Sequence, residues 1–141
     1  MPIEQAVCLS YKEELFRGVH KNDHLYKIAL FTENAVLNKY TKSYLECSGE
    51  VQGTGYEKGG KFLIEYKTDI VDDYAILTFT KDLVWENSSF STYGALIYNY
   101  SLESKNSIAV LSFEENLMVN NENFLINFSA FNRKDALIKI I

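Results

Sequence analysis

The sequence predicts a single all-β domain: an antiparallel β-sandwich, jelly-roll or immunoglobulin-like, of about eight strands with one short N-terminal helix. Three observations predict it. From residue 24 onward apolar residues recur with a period of two, the repeat of a strand with one buried face. Clusters of turn-forming residues separate these runs at short, even spacing. Aromatic residues make up 14% of the chain, with ten Tyr and nine Phe, and such side chains pack well on a pleated, half-buried surface.

The elements follow in order. Residues 1–9 read as an extended arm or short edge strand carrying Ile3, Val7 and Leu9. Ser10-Tyr11-Lys12-Glu13 has the spacing of a capping box, in which the Ser and Glu side chains satisfy each other's free backbone N–H groups. Tyr11, Leu15 and Val19 then recur every four residues and Gly18 supplies a stop, so a helix is expected over residues 10–18. Leu25 to Phe31 is a continuous apolar run suited to a well-buried strand. Five of the seven glycines fall within residues 43–60, which reads as a long loop. Phe62, Ile64 and Tyr66 alternate with Leu63, Glu65 and Lys67, and Tyr74, Ile76 and Thr78 with Ala75, Leu77 and Phe79. Leu83 and Trp85 begin a short strand after a Lys81-Asp82 turn. Tyr93 to Tyr100 is a strong strand, residues 101–106 a polar hairpin loop, and Ile108 to Phe113 the return strand. Turns are expected at residues 114–116 and 120–123, with strands at Leu117-Met118-Val119, at Phe124, Ile126 and Phe128, and at Ala136 to Ile141. The lone proline, Pro2, leaves every strand free to donate its ladder hydrogen bonds. No linker or repeat divides the chain, so residues 1–141 read as one domain.

Composition narrows the function. A net charge of −5 with no run of Lys and Arg argues against a nucleic-acid binder, which must neutralise phosphates. No stretch approaches the roughly 18 apolar residues that span a bilayer, so no membrane role is expected. Met1-Pro2-Ile3-Glu4-Gln5 lacks the basic and apolar regions of a secretory signal. Three Asn-x-Ser/Thr triplets, at Asn87, Asn99 and Asn127, therefore read as chance. Cys8 and Cys47 are too few for a disulfide framework and fit unreactive thiols in a reducing compartment.

A search for chemistry yields no catalytic residue, metal ligand set or cofactor site. His20 and His24 have a spacing that would suit two metal ligands on one helix face, but Gly18 ends the helix first and no third ligand stands out. They read as exposed loop histidines. Asp72-Asp73 and Glu114-Glu115 are adjacent in sequence, and successive strand residues point to opposite faces, so neither pair converges on a substrate. The run Gly53-Thr54-Gly55-Tyr56-Glu57-Lys58-Gly59-Gly60 is glycine-rich, yet Gly60-Lys61 is followed by Phe62 and a strand, where a phosphate loop needs Ser or Thr and a helix. What remains is an interface. Trp85, Tyr93, Tyr98 and Tyr100 are the aromatic candidates, most of them equally suited to the core of the sandwich, and Ile3, Val7 and Leu9 of the arm join them. Of these, Ile3, Val7, Leu9, Trp85 and Tyr93 are the expected partner contacts.

Several segments taken together resemble a known family. They are Ser10-Tyr11-Lys12-Glu13-Glu14-Leu15-Phe16-Arg17-Gly18-Val19-His20, Tyr26 to Thr32, Tyr40-Thr41, Glu50 to Gly60, Gly94 to Asn99, Ala109 to Phe113, Phe124 to Phe128 and Leu137 to Ile140. In this order they resemble a widespread family of small virion structural proteins of tailed bacteriophages, over nearly the whole chain. The resemblance implies a non-enzymatic particle component, synthesised in the host bacterial cytoplasm and present in the virion as a homo-oligomer or in multiple copies per particle. The role expected is capsid decoration, a cement protein bound to the major capsid protein on the outside of the head. A tail, neck or fibre-associated position is the alternative, and a carbohydrate-binding sandwich a further one.

Overall fold

A computed structural model describes residues 2–79 and 81–127, together with the backbone of residues 138–140. The chain is mostly antiparallel β, in two sheets, with one short helix. The strands are β1 (Ala6–Val7), β2 (Tyr26–Phe31), β3 (Lys61–Phe62), β4 (Tyr66–Val71), β5 (Tyr74–Phe79), β6 (Leu83–Asn99), β7 (Ser107–Ile126) and β8 (Ile138–Ile140); the helix α1 spans Leu9–Phe16. The larger sheet has the order β1-β7-β6-β2-β3 and the smaller the order β4-β5-β8. Phe128, Ala136, Leu137 and Ile141 of the expected C-terminal strands lie outside the described residues.

The continuous apolar run at Tyr26–Phe31 becomes a strand hydrogen-bonded on both sides. It pairs with β6 from Tyr26↔Asn99 to Phe31↔Gly94, and with β3 through Lys27↔Phe62. Ile28, Ala29, Leu30 and Phe31 are fully buried, which explains why this strand lacks alternation. Tyr26 faces the smaller sheet, its ring stacked on Tyr66 at 5.3 Å and tilted against Phe79 at 6.0 Å. Those three rings join the two sheets through one core that also holds Leu77, Leu96 and Ile97.

β6 and β7 are longer than the sequence suggests. The turns expected at residues 114–116 and 120–123 do not form, because the partner strand continues past them. Pairing runs from Leu83↔Ile126 to Tyr98↔Ser107, with register shifts along the way. Asn87, Glu114 and Asn121 take positive φ of 47°, 63° and 52°, and the turn-prone residues are spent on bulges that bend and twist the ribbon. Asp72 and Asp73, by contrast, are themselves a turn. Both have positive φ (49° and 69°) between the paired residues Val71 and Tyr74, a two-residue type I′ hairpin.

The helix starts one residue before the expected box. Cys8 occupies the N-cap without a side-chain cap hydrogen bond, while Ser10 Oγ is buried and has no partner among the described residues. Glu13 turns outward to pair with Arg17 at 2.7 Å. The stop behaves as expected. Gly18, at φ +67°, donates to Leu15 O, and Val19 donates to Glu14 O, the two bonds of a Schellman cap.

The N-terminal segment is an edge strand docked on its own body. Leu37 donates to Pro2 O at 2.8 Å and Glu4 to Leu37 O at 2.9 Å, while Ala6 and Val7 pair with Val110 and Ala109.

Candidate functional site

Three constellations gather the chemistry of this chain, and two of them lie inside it. The first is the glycine loop. Glu50 accepts the hydroxyls of Tyr44, at 2.6 Å, and of Tyr56, and the backbone N–H of Gly59 at 2.8 Å. Tyr56 Oη in turn accepts the N–H of Leu30, and Tyr98 donates to Gly59 O at 2.7 Å with its ring flat on Tyr44. Burial, with Glu50 beside them, pushes the phenols of Tyr44, Tyr56 and Tyr98 well above the usual tyrosine range. They are therefore donors at neutral pH, Tyr44 and Tyr56 to Glu50 and Tyr98 to Gly59 O. Gly60 (φ +83°) lies so close to β2 that an added Cβ would sit 1.8 Å from Ile28 O. These glycines let a loop lie flat against a sheet, and the N–H groups of Gly59 and Gly60 are taken by the chain's own Glu50 carboxylate and Glu57 carbonyl.

The second constellation corrects the reading of the histidines. His20 and His24 are partly buried, and both meet Asn99 at the end of β6. Asn99 Nδ2 lies 3.0 Å from His20 Nδ1 and 2.9 Å from His24 Nδ1. His20 Nε2 lies 2.7 Å from Glu14 Oε1, and Asn106 donates to Glu14 Oε2 at 2.9 Å. The asparagine amide fills the point between the two imidazoles. Among the described residues, no group of three or more His, Cys, Asp or Glu is placed to hold a metal. Asn99 is fully buried, so its Asn-x-Ser triplet is closed to modification. Only the polar residue closing an otherwise apolar strand could have signalled this cluster, since its partners lie 75 and 79 residues away.

The third constellation faces outward. Lys27 Nζ sits 4.6 Å from the ring centre of Phe62 and 4.7 Å from that of Tyr100, which themselves meet edge to face. Lys105 Nζ lies 4.2 Å from the Tyr100 ring and donates to Tyr100 O. Phe62 is 42% exposed, Tyr100 38% and neighbouring Leu25 54%. The result is a surface of two aromatic rings and an aliphatic side chain, with two ammonium groups held over the rings.

The expected contact residues divide differently from the sequence reading. Ile3 and Trp85 are each only 1% exposed. They belong to the chain's own core, where Trp85 packs on Phe124, and they offer no surface to a partner. Tyr98 is buried in the same way. Val7 and Tyr93 are partly buried and pack against the core, while Leu9 and Tyr100 are exposed. Phe62 and Lys27 were not singled out by sequence because neither is unusual in a strand. Cys8 is buried and Cys47 partly so, both as free thiols.

The chain matches no family model, curated protein or solved structure. Among the described residues no helix is long and apolar enough to cross a membrane.

Proposed function

We propose that this chain is a non-enzymatic structural protein of a tailed-phage particle, a decoration protein that seats on the outside of the head shell in many copies. Its two sheets are then the layers of a β-sandwich. The observation that carries the reading is the outward-facing Lys27–Phe62–Tyr100–Lys105 surface, built on the strongly paired β2–β6 frame. Exposed aromatic rings suit an interface centre and charged groups its rim, and the two ammonium groups suit a carboxylate-bearing face of the major capsid protein. The segments that resemble the phage family support the virion assignment. The internal engagement of Glu14, His20 and Glu50 supports a structural role, because these groups hold the fold together. Each contact would be weak, and regular repetition on a shell supplies the rest through multivalency.

Co-sedimentation of the purified chain with assembled head shells tests this. Binding that weakens with salt and is lost in the Lys27→Glu/Tyr100→Ala variant is the expected result; wild-type protein that never sediments with shells sinks the proposal. Copy number then separates the head from the alternative neck or tail position, where a ring of about six or twelve copies is the natural count. The exposed Phe62 and Tyr100 rings also favour a second reading, stacking on a sugar, which a glycan array without hits removes.

A further inference from the structure

We propose that Asn99, its amide shared between His20 and His24, makes the joint of α1, the loop after it and the β6–β7 hairpin an acid-sensitive clasp. The clasp is closed while both imidazoles are neutral and opens when either takes a proton on Nδ1. This inference does not depend on the role proposed above.

The hydrogen-bond directions carry it. Asn99 Oδ1 accepts the backbone N–H of Ser101 at 3.1 Å. A backbone N–H can only donate, so the asparagine is fixed with its NH2 toward the histidines. The backbone N–H of Lys21 also points at His24 Nδ1, at 3.4 Å. Both Nδ1 atoms are therefore acceptors, and the proton of the neutral His20 ring is on Nε2, donated to Glu14. A proton added at either Nδ1 would set N–H against N–H. Turning the asparagine over would not relieve this, because its NH2 would then face the Ser101 N–H.

The surroundings oppose protonation on balance. The His20 side chain is 1% exposed. Glu14 pulls toward the imidazolium, but its second oxygen is engaged by Asn106. His24 lies on the far side of the same amide, and the Tyr11 ring packs on His20 at 4.9 Å. The buried Cys8 thiol lies by Ser107 and Glu14. Arg17 is turned outward to Glu13, and Asp23 is exposed on the loop. Burial, ahead of the attraction of Glu14, holds His20 below the ordinary histidine range. The unfolded chain therefore takes this proton first. Stability is complete above about pH 6.5 and is lost as pH falls below that value toward the folded one.

The test is an imidazole titration by NMR, with unfolding midpoints measured from about pH 7.5 to about pH 5. In the wild type the expected results are unprotonated Nδ1 on both rings at the upper pH and a midpoint that falls on acidification. They also include faster amide exchange at Leu25 and Tyr100 as the clasp opens. Asn99→Asp replaces the donor with an acceptor, so it should raise the His20 titration above the wild-type value and flatten or reverse the midpoint's pH dependence. A wild-type His20 that titrates like a free histidine overturns the proposal, as does an Asn99→Asp variant that leaves the titration unmoved. If that variant does not fold, the Nδ1 state of the wild-type rings decides alone: a proton on Nδ1 of either ring at the upper pH overturns the clasp.

Discussion

The carboxylate of Glu50 accepts the backbone N–H of Gly59 at 2.8 Å, nine residues further along the chain. This one bond closes the glycine loop on itself, and the two tyrosine hydroxyls on the same carboxylate hold it shut.

Glu50→Gln should therefore be costly although it keeps size and shape. An amide NH2 on the Gly59 side would face a backbone N–H that can only donate, and on the Tyr44 side would force that hydroxyl to accept and leave its own proton without the carboxylate. A loss of about 2 kcal/mol is expected, read as a lower urea midpoint with an unchanged denaturant slope. An unchanged midpoint would mean that the carboxylate does not organise the loop.

Two glycines with similar φ should respond differently to alanine. Gly18, at +67°, has nothing within 4 Å of an added Cβ, so Gly18→Ala carries only the cost of a left-handed alanine, about 1 kcal/mol. Gly60→Ala adds a clash with backbone that cannot turn aside, and should cost roughly 3 kcal/mol or more. Thermal unfolding of the pair checks the order; equal losses would show that β2 and the loop separate readily.

Both thiols should resist modification in the native protein. Burial pushes the Cys8 thiol up, and burial with Glu46 nearby pushes that of Cys47 up to about 12, so thiolate is scarce at neutral pH. A thiol reagent should label both rapidly only after denaturant is added, and any slow labelling of the native protein should fall on partly exposed Cys47 first. Rapid native labelling of Cys8 would contradict its burial in the core.

Charge reversal at Lys27 should separate surface from scaffold. Lys27→Glu abolishes the cation over Phe62 and Tyr100 and should eliminate shell binding, while the far-ultraviolet spectrum stays as in the wild type. If binding is retained, the docking face lies elsewhere.

Much of the sheet was readable, and the exceptions share a cause. β2, β5 and the Gly94–Asn99 stretch follow their apolar patterns, and the loop at residues 101–106 falls where polar residues cluster. Glu114 and Asn121 misled because bulges and turns use the same residue types, and only the partner strand decides between them. Ser10 misled because the bond from Cys8 N to Ile108 O fixes the chain just before α1 and starts the helix one residue early. The surface at Lys27, Phe62 and Tyr100 was hidden for a different reason. Its members come from three segments that only the β3-β2-β6 order brings side by side.

That strand order also governs when the molecule can be completed. β2 leaves the ribosome with a nearly unbroken apolar sequence, yet its main partner stretch, Gly94–Asn99, follows more than sixty residues later. Until β6 arrives, the partners of β2 among the described residues are the two-residue β3 and a bridge from Phe31 to Glu50, with Val51 donating to Leu30 O. The nascent chain must therefore carry an incompletely covered Ile28–Phe31 segment while more than sixty further residues are made. Closure waits on a contact of long sequence separation, which places folding in the slow millisecond-to-second range of β proteins. It also makes the half-made chain, more than the finished one, the species a host chaperone would recognise.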